Sequence, residues 1–157
     1  MNVDHSHWMR LAIEQARKGI ASGQSPFGAV VVRNDSLVAG GHNEVWKRTD
    51  PTAHAEVVCI QKAAKAIASI DLAGCVMYTT TEPCPMCASA IHWSKLDAVY
   101  CGATIADAEK AGFTELTLPI EDVYRIGKSR TKAVRGVLTT ECAGLFGEWK
   151  AARGRAY

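Results

Sequence analysis

Four residues in two short motifs have the types and spacing of a metal-dependent active site. Cys84 and Cys87 stand two residues apart in the motif EPCPMC. Such a pair occurs in redox centres, in structural zinc sites and in catalytic metal sites. Some thirty residues upstream, His54 and Glu56 belong to the motif DPTAHAEV. Together the two motifs offer three metal ligands and one carboxylate.

The number of available ligands separates these alternatives. A structural zinc site needs four Cys or His ligands, and the remaining cysteines, which we interpret as buried apolar residues, stand alone: Cys59, Cys75, Cys101 and Cys142. A catalytic zinc site needs only three, because water takes the fourth position and its pKa falls from about 15.7 to about 7. We therefore predict Zn²⁺ held by His54, Cys84 and Cys87, with Glu56 as general acid and base. A redox pair is the alternative.

The order of the motifs, H-x-E and then P-C-x-x-C, resembles the signature of the zinc nucleobase deaminases. The chain resembles the cytidine deaminase superfamily over nearly its whole length. The stretches SPFGAVVV, GHNEV, TDPTAHAEV, EPCPMCASAIHW and DAEKAGF look like those of bacterial guanine deaminases. PFGAV and DPTAHAE are also similar to the bacterial tRNA adenosine deaminases. The resemblance implies hydrolytic, zinc-dependent deamination of guanine to xanthine and ammonia.

The same resemblance implies the remaining site residues. Glu115 takes the place of a second carboxylate that contacts the purine and helps to move protons. Tyr157 closes the pocket, from the exchanged C-terminal segment of the partner subunit in a homodimer. The other implied substrate contacts are the Asn43 side chain, the aromatic walls Phe27 and Trp93, and the backbone of Ala55 and Glu82.

One departure from the family pattern bears on the substrate. Guanine deaminases of this type carry Asp-Asp after Gly-Phe, whereas this chain has Thr114-Glu115. The glutamate side chain is longer by one methylene group. Another aminopurine or an aminotriazine is therefore an alternative substrate.

The charge distribution bears on a second activity, although we interpret the basic C-terminal segment mainly as a solvated helix face. Residues 1–127 carry 11 basic and 14 acidic side chains, whereas residues 128–157 carry 7 and 2. In a tRNA adenosine deaminase these seven basic residues would contact phosphate. Because Glu115, Tyr157 and the short tail favour a small free base, we do not expect a nucleic-acid partner. A pyrimidine deaminase and a scaffold protein with structural zinc are further alternatives.

Alternating helical and strand patterns predict an α/β fold. The predicted helices are 5–19, 50–68, 85–94, 105–112 and 139–153, and the predicted strands are 27–33, 36–41, 75–80, 97–103 and 132–138. This order indicates a three-layer α/β/α sandwich around a mixed central sheet, cytidine deaminase-like, in one domain spanning 1–157. The first residues resemble neither a signal peptide nor a membrane span, so we expect a cytoplasmic protein with reduced thiols and no membrane partner.

Overall fold

A mixed sheet of five strands forms the centre of the structure, a computed structural model that describes residues 4–157. Its strands are β1 (Gly28–Arg33), β2 (Ser36–His42), β3 (Cys75–Thr81), β4 (Ala98–Ala103) and β5 (Lys132–Val134). They lie in the order β2-β1-β3-β4-β5. β1 is antiparallel to both of its neighbours, and β3, β4 and β5 run parallel. The parallel strands therefore bring the ends of β3 and β4 to one edge of the sheet.

Helices cover both faces of this sheet. They are α1 (His5–Ala21), α2 (Val45–Arg48), α3 (Ala55–Ile67), α4 (Pro85–Trp93), α5 (Ile105–Ala111), α6 (Ile120–Ile126) and α7 (Thr139–Ala151). Alternate residues of β1 separate the two cores: Val30 packs with α1, α5 and α7, and Val31 packs with α3, α4 and α6. The predicted three-layer sandwich is confirmed.

Local signals placed the first elements correctly. The Asp4 side chain accepts a hydrogen bond from the His7 backbone N–H at 3.1 Å and caps α1. Asn34 and Asp35 both have positive φ values, 49° and 52°, as a two-residue hairpin turn requires. The predicted hairpin is therefore confirmed.

The predicted start of helix 50–68, which corresponds to α3, was wrong. Asp50 does not cap a helix; its carboxylate accepts from the backbone N–H and the hydroxyl of Thr52, at 2.8 and 2.7 Å. This local turn keeps residues 50–54 out of the helix, and α3 begins at Ala55. His54 is consequently the N-cap residue rather than a member of the first turn.

Two further differences lie near the C-terminus. The stretch 116–128, which has no clear periodicity, contains α6, and its first backbone N–H, on Ile120, is held by the Glu82 carboxylate at 3.0 Å. The last strand ends at Val134 rather than at residue 138, because Gly136 and Leu138 have φ values of +87° and +52°.

The cysteines outside the two motifs are all buried and free, as predicted. Within residues 4–157, no helix is both long enough and apolar enough to cross a membrane.

Candidate active site

Two helix N-termini bring the three predicted ligands together. His54 is the N-cap of α3, Cys84 is the N-cap of α4, and Cys87 lies in the first turn of α4. The Nδ1 atom of His54 is 3.7 Å from the sulfur of Cys84 and 3.5 Å from that of Cys87. Tetrahedral zinc with ordinary Zn–N and Zn–S bonds sets these atoms about 3.6 Å apart. The three residues therefore fit a zinc ion, and the described part of the chain contains no other such group of His, Cys, Asp or Glu.

The environment of the ligands favours a thiolate. Pro85 occupies the first turn of α4, where the free backbone N–H groups and the helix dipole stabilise negative charge. The pKa of Cys84 is lowered to about 4, chiefly by the hydrogen bond from Cys87 and also by His54. A metal cation would meet a negatively charged sulfur at neutral pH.

Glu56 lies beside the metal ligands without being one of them. It is the second residue of α3 and only 6% exposed. One carboxylate oxygen accepts a hydrogen bond from the Thr79 hydroxyl at 3.2 Å, and the other lies 3.5 Å from the Cys87 sulfur. Burial raises the pKa of Glu56. A raised pKa makes this carboxylate a better proton acceptor than an ordinary exposed glutamate.

Sequence analysis missed Thr79. It is a buried residue of β3, and the two residues that precede it on the same face of the strand, Cys75 and Met77, are apolar. A polar residue at a buried strand position requires a partner, and that requirement is the signal that could have identified it.

A cavity of about 230 Å³ opens next to this group. It is smaller than typical drug-sized sites of about 300–1,000 Å³, so it suits a single small ring system. Its lining residues are Phe27, Pro51, His54, Glu56, Thr81, Glu82, Cys84, Met86, Phe113, Thr114, Glu115, Leu116 and Tyr157. Six lining residues were not predicted as site residues, although each is within three residues of a predicted one: Pro51, Thr81, Met86, Phe113, Thr114 and Leu116.

Four of the predicted substrate residues line this cavity. Phe27 packs edge-to-face against Phe113, with ring centroids 5.0 Å apart. Glu115 reaches the cavity, and burial, together with the negative charge of Cys84, raises the pKa of Glu115 to about 7. Glu82 and Tyr157 are the other two predicted residues that line the cavity, and this Tyr157 belongs to the same chain.

The other three predicted substrate residues, Trp93, Ala55 and Asn43, do not line this cavity. Trp93 is the last residue of α4, 79% exposed, and its ring packs against His92; it lines a different cavity from the one beside the candidate metal ligands, and its role as an aromatic wall stays a prediction. Trp93 lies at the C-terminal end of α4, whereas the candidate metal ligands Cys84 and Cys87 lie at its N-terminal end. Ala55 is fully buried between two lining residues, and a contact from its backbone stays a prediction.

Asn43 is also fully buried and does not line the cavity. Its Nδ2 donates to the Tyr157 hydroxyl at 2.7 Å, and its Oδ1 accepts from the Val45 backbone N–H at 3.1 Å. Tyr157 therefore stands between Asn43 and the cavity.

A buried ion pair supports the wall of the cavity at Glu82. The Glu82 side chain is 4% exposed and accepts from the Arg135 guanidinium at 2.9 Å and from the Ile120 backbone N–H at 3.0 Å. Arg135 also pairs with Glu121. The Glu82 carboxylate thus joins α6 and the end of β5 to the segment that carries the metal ligands.

Replacing Arg135 with methionine should lower the free energy of unfolding by about 1–3 kcal/mol, because a buried carboxylate loses its charged partner. Urea unfolding would measure the change. Arg125→Met is the matched control, since Arg125 pairs with Asp122 on the surface, with the two side chains 70% and 41% exposed. We expect the control to change stability by less than about 1 kcal/mol. If the two substitutions changed the free energy of unfolding equally, the Glu82–Arg135 ion pair would not support the wall of the cavity.

Comparisons with known proteins agree with this site. The family described as cytidine and deoxycytidylate deaminase zinc-binding region matches residues 2–103. Guanine deaminase of Bacillus subtilis (strain 168) is 37% identical over 94% of this chain and 95% of its own length. The tRNA-specific adenosine deaminase of the same organism is 36% identical over 88% of this chain and 84% of its own length. A solved structure of guanine deaminase from Nitrosomonas europaea superimposes with a TM-score of 0.86 at 28% identity, covering 96% of this chain and 86% of that one.

Proposed function

Since this chain belongs to the cytidine and deoxycytidylate deaminase zinc-binding family, we propose that it hydrolyses free guanine to xanthine and ammonia. The observation that carries the proposal is the small cavity beside the His-Cys-Cys group, closed by Tyr157 of the same chain. A cavity of this size suits a free base better than a nucleoside or a nucleotide in RNA. The similarity to the guanine deaminase of Bacillus subtilis over almost the whole length supports the same substrate.

His54, Cys84 and Cys87 would hold the zinc ion. When bound, zinc activates a water molecule for attack on C2 of the purine. Glu56 would accept one proton from the water and deliver it to N3, and would then accept the remaining hydroxyl proton and deliver it to the departing amine. A C–O bond forms at C2, the C–N bond breaks, and ammonia leaves. The burial of Glu56 and its hydrogen bond from Thr79 orient the carboxylate for both transfers.

Aromatic and acidic side chains of the cavity would bind the purine. Phe27 and Phe113 offer flat apolar surfaces. Glu115, with a pKa of about 7, can present either a donor or an acceptor to the purine edge near neutral pH. A site built to satisfy polar edges rejects analogues that leave them unpaired.

Replacing Glu115 with glutamine should lower kcat/KM for guanine by about 10- to 100-fold, because the substrate loses a charge-assisted hydrogen bond and a proton-transfer group. Steady-state ammonia release would measure the loss, and metal analysis should show unchanged zinc content. Glu109→Gln, an exposed carboxylate of α5, is the control and should leave kcat/KM unchanged. Wild-type kinetics in the Glu115 variant would exclude the residue from the site.

The test of the proposed function is ammonia release from a panel of amines. The panel contains guanine, guanosine, adenine, cytosine, cytidine, ammeline and an adenosine-bearing tRNA stem-loop. Rapid turnover of guanine alone is the expected result. Activity only on another small amine would show that Glu115 has changed the substrate.

Deamination of adenosine in tRNA is the second candidate. The tRNA-specific adenosine deaminase of Bacillus subtilis and the basic C-terminal residues favour it. The size of the cavity argues against it, because a volume of about 230 Å³ suits a free base better than a nucleotide in RNA. Salt-sensitive binding of the stem-loop, with turnover of its adenosine, would replace the guanine proposal.

We also propose that the protein works as a homodimer. In the described chain, Tyr157 closes the chain's own pocket. If two copies exchanged their C-terminal segments, Tyr157 of each copy would close the pocket of the other in the same way. Light scattering on the zinc-loaded protein would test the dimer.

A further inference from the structure

The last residues of the chain fold back from α7 to the cavity as a C-terminal strap, defined here as residues 152–157. The reversal occurs at Arg153, which has a φ of +56°, and at Gly154, whose N–H donates to the Trp149 carbonyl at 3.0 Å. A Cβ atom at Gly154 would lie 1.9 Å from the Trp149 indole nitrogen. Close packing on Trp149 therefore directs the strap towards the cavity.

A pair of contacts fastens the strap to α2. The Arg155 guanidinium carbon lies 3.6 Å from the ring centroid of Trp46, a cation–π stack. The Trp46 indole N–H also donates to the Arg155 carbonyl at 3.3 Å. Trp46 is three residues beyond Asn43, so the stack and the Asn43–Tyr157 hydrogen bond join the same two segments.

The bond to Tyr157 conflicts with the substrate role expected of Asn43. Asn43 is completely buried, and its amide group already donates to Tyr157. A purine in the cavity can reach this amide only after Tyr157 has moved. Because Tyr157 is 38% exposed and five residues separate it from the end of α7 at Ala151, it can be displaced without disturbing α7.

We propose that Trp46 and Arg155 are positioning residues that hold the strap where Tyr157 occupies the Asn43 amide, so that guanine and Tyr157 compete for this group. The proposal rests on the proposed function, since it takes Asn43 as a contact of the purine. The strength of the Trp46–Arg155 stack then determines how often the amide is free.

This competition predicts an unusual kinetic effect. A ligand that binds only the released state has its apparent affinity reduced by the released fraction. Loss of one cation–π stack changes that fraction by about 2- to 30-fold. Removal of either partner should therefore lower KM for guanine by about that factor and leave kcat unchanged. Simple damage to the site would raise KM or lower kcat.

The experiment compares zinc-loaded wild type with Trp46→Leu and Arg155→Gln. Arg155→Lys, which keeps the charge but loses the planar guanidinium, should give an intermediate KM. Lys150→Gln removes one exposed positive charge from the same end of the chain and should change neither constant. An unchanged or higher KM in both stack variants would overturn the proposal.

A second measurement needs no substrate. Carboxypeptidase A removes C-terminal aromatic residues, so its rate on Tyr157, followed by intact mass, reports how often the strap is released. The rate should rise in both stack variants by the same factor by which KM falls, and equal rates in wild type and variants would overturn the proposal. If wild type turned over no guanine while strap release still depended on the stack, the proposed function alone would have failed.

Discussion

Replacing Glu56 with glutamine should lower kcat for guanine by about 10²–10⁴-fold or more, while the protein still binds zinc. Glutamine has nearly the same shape as glutamate and can keep the hydrogen bond from Thr79, so the fold and the metal ligands should be unaffected. It cannot, however, accept a proton from water or pass one to the purine. The second oxygen of Glu56 lies 3.5 Å from the Cys87 sulfur, so the carboxylate is next to the candidate metal ligands.

Two measurements together test this role. Ammonia release gives kcat, and metal analysis gives the zinc content of the same sample. A fall in turnover with full zinc content identifies Glu56 as the proton carrier. Turnover within tenfold of wild type would refute the mechanism, whereas loss of zinc would make Glu56 part of the metal site.

Replacing Cys87 with alanine should abolish both zinc binding and turnover. Three residues would hold the metal, and the two that remain in the variant, His54 and Cys84, would form a much weaker site. Without zinc, the water keeps a pKa of about 15.7, roughly 12 kcal/mol away from ionisation at neutral pH. We therefore expect activity below detection, and chelation of wild type should reproduce this loss.

Stability gives an independent measure of the Cys87 substitution. Zinc stabilises the folded state by about 4 kcal/mol at a free concentration a thousandfold above its Kd. The melting temperature of wild type should therefore rise with added zinc, and that of the variant should not. Cys59→Ala is the matched control, because Cys59 is equally buried and free but outside the metal group. A zinc-dependent increase in the Cys87 variant would show that Cys87 is no ligand.

Local chemistry explains which features the sequence alone predicts. The Cys84 and Cys87 pair at a helix start, the Asn34-Asp35 hairpin and the Asp4 cap each depend on residues within a few positions of one another. Their geometry follows from backbone conformation and short-range hydrogen bonds. The alternation of helices and strands along the chain was sufficient to predict the α/β/α layers. The apolar pattern of each helix or strand shows which of its faces must be buried.

Competing local interactions explain the errors in the element boundaries. Asp50 is a good N-cap residue, yet it forms a turn with Thr52 and delays α3 to Ala55. The helix α6 has weak periodicity and obtains its N-terminal hydrogen bond from Glu82, 38 residues earlier in the chain. No window of neighbouring residues contains that partner.

The candidate zinc ligands, the carboxylate two residues from His54 and the fold class were predictable from the sequence, because each of the two motifs is short and the patterns of the helices and strands are regular. Only the tertiary structure decided which distant side chains share the site. It brought Thr79 to Glu56 and Tyr157 to Asn43, and it placed Trp93 on the outside. The physical reason is that such contacts depend on how strands and helices pack, and packing is set by long-range burial that no single motif records.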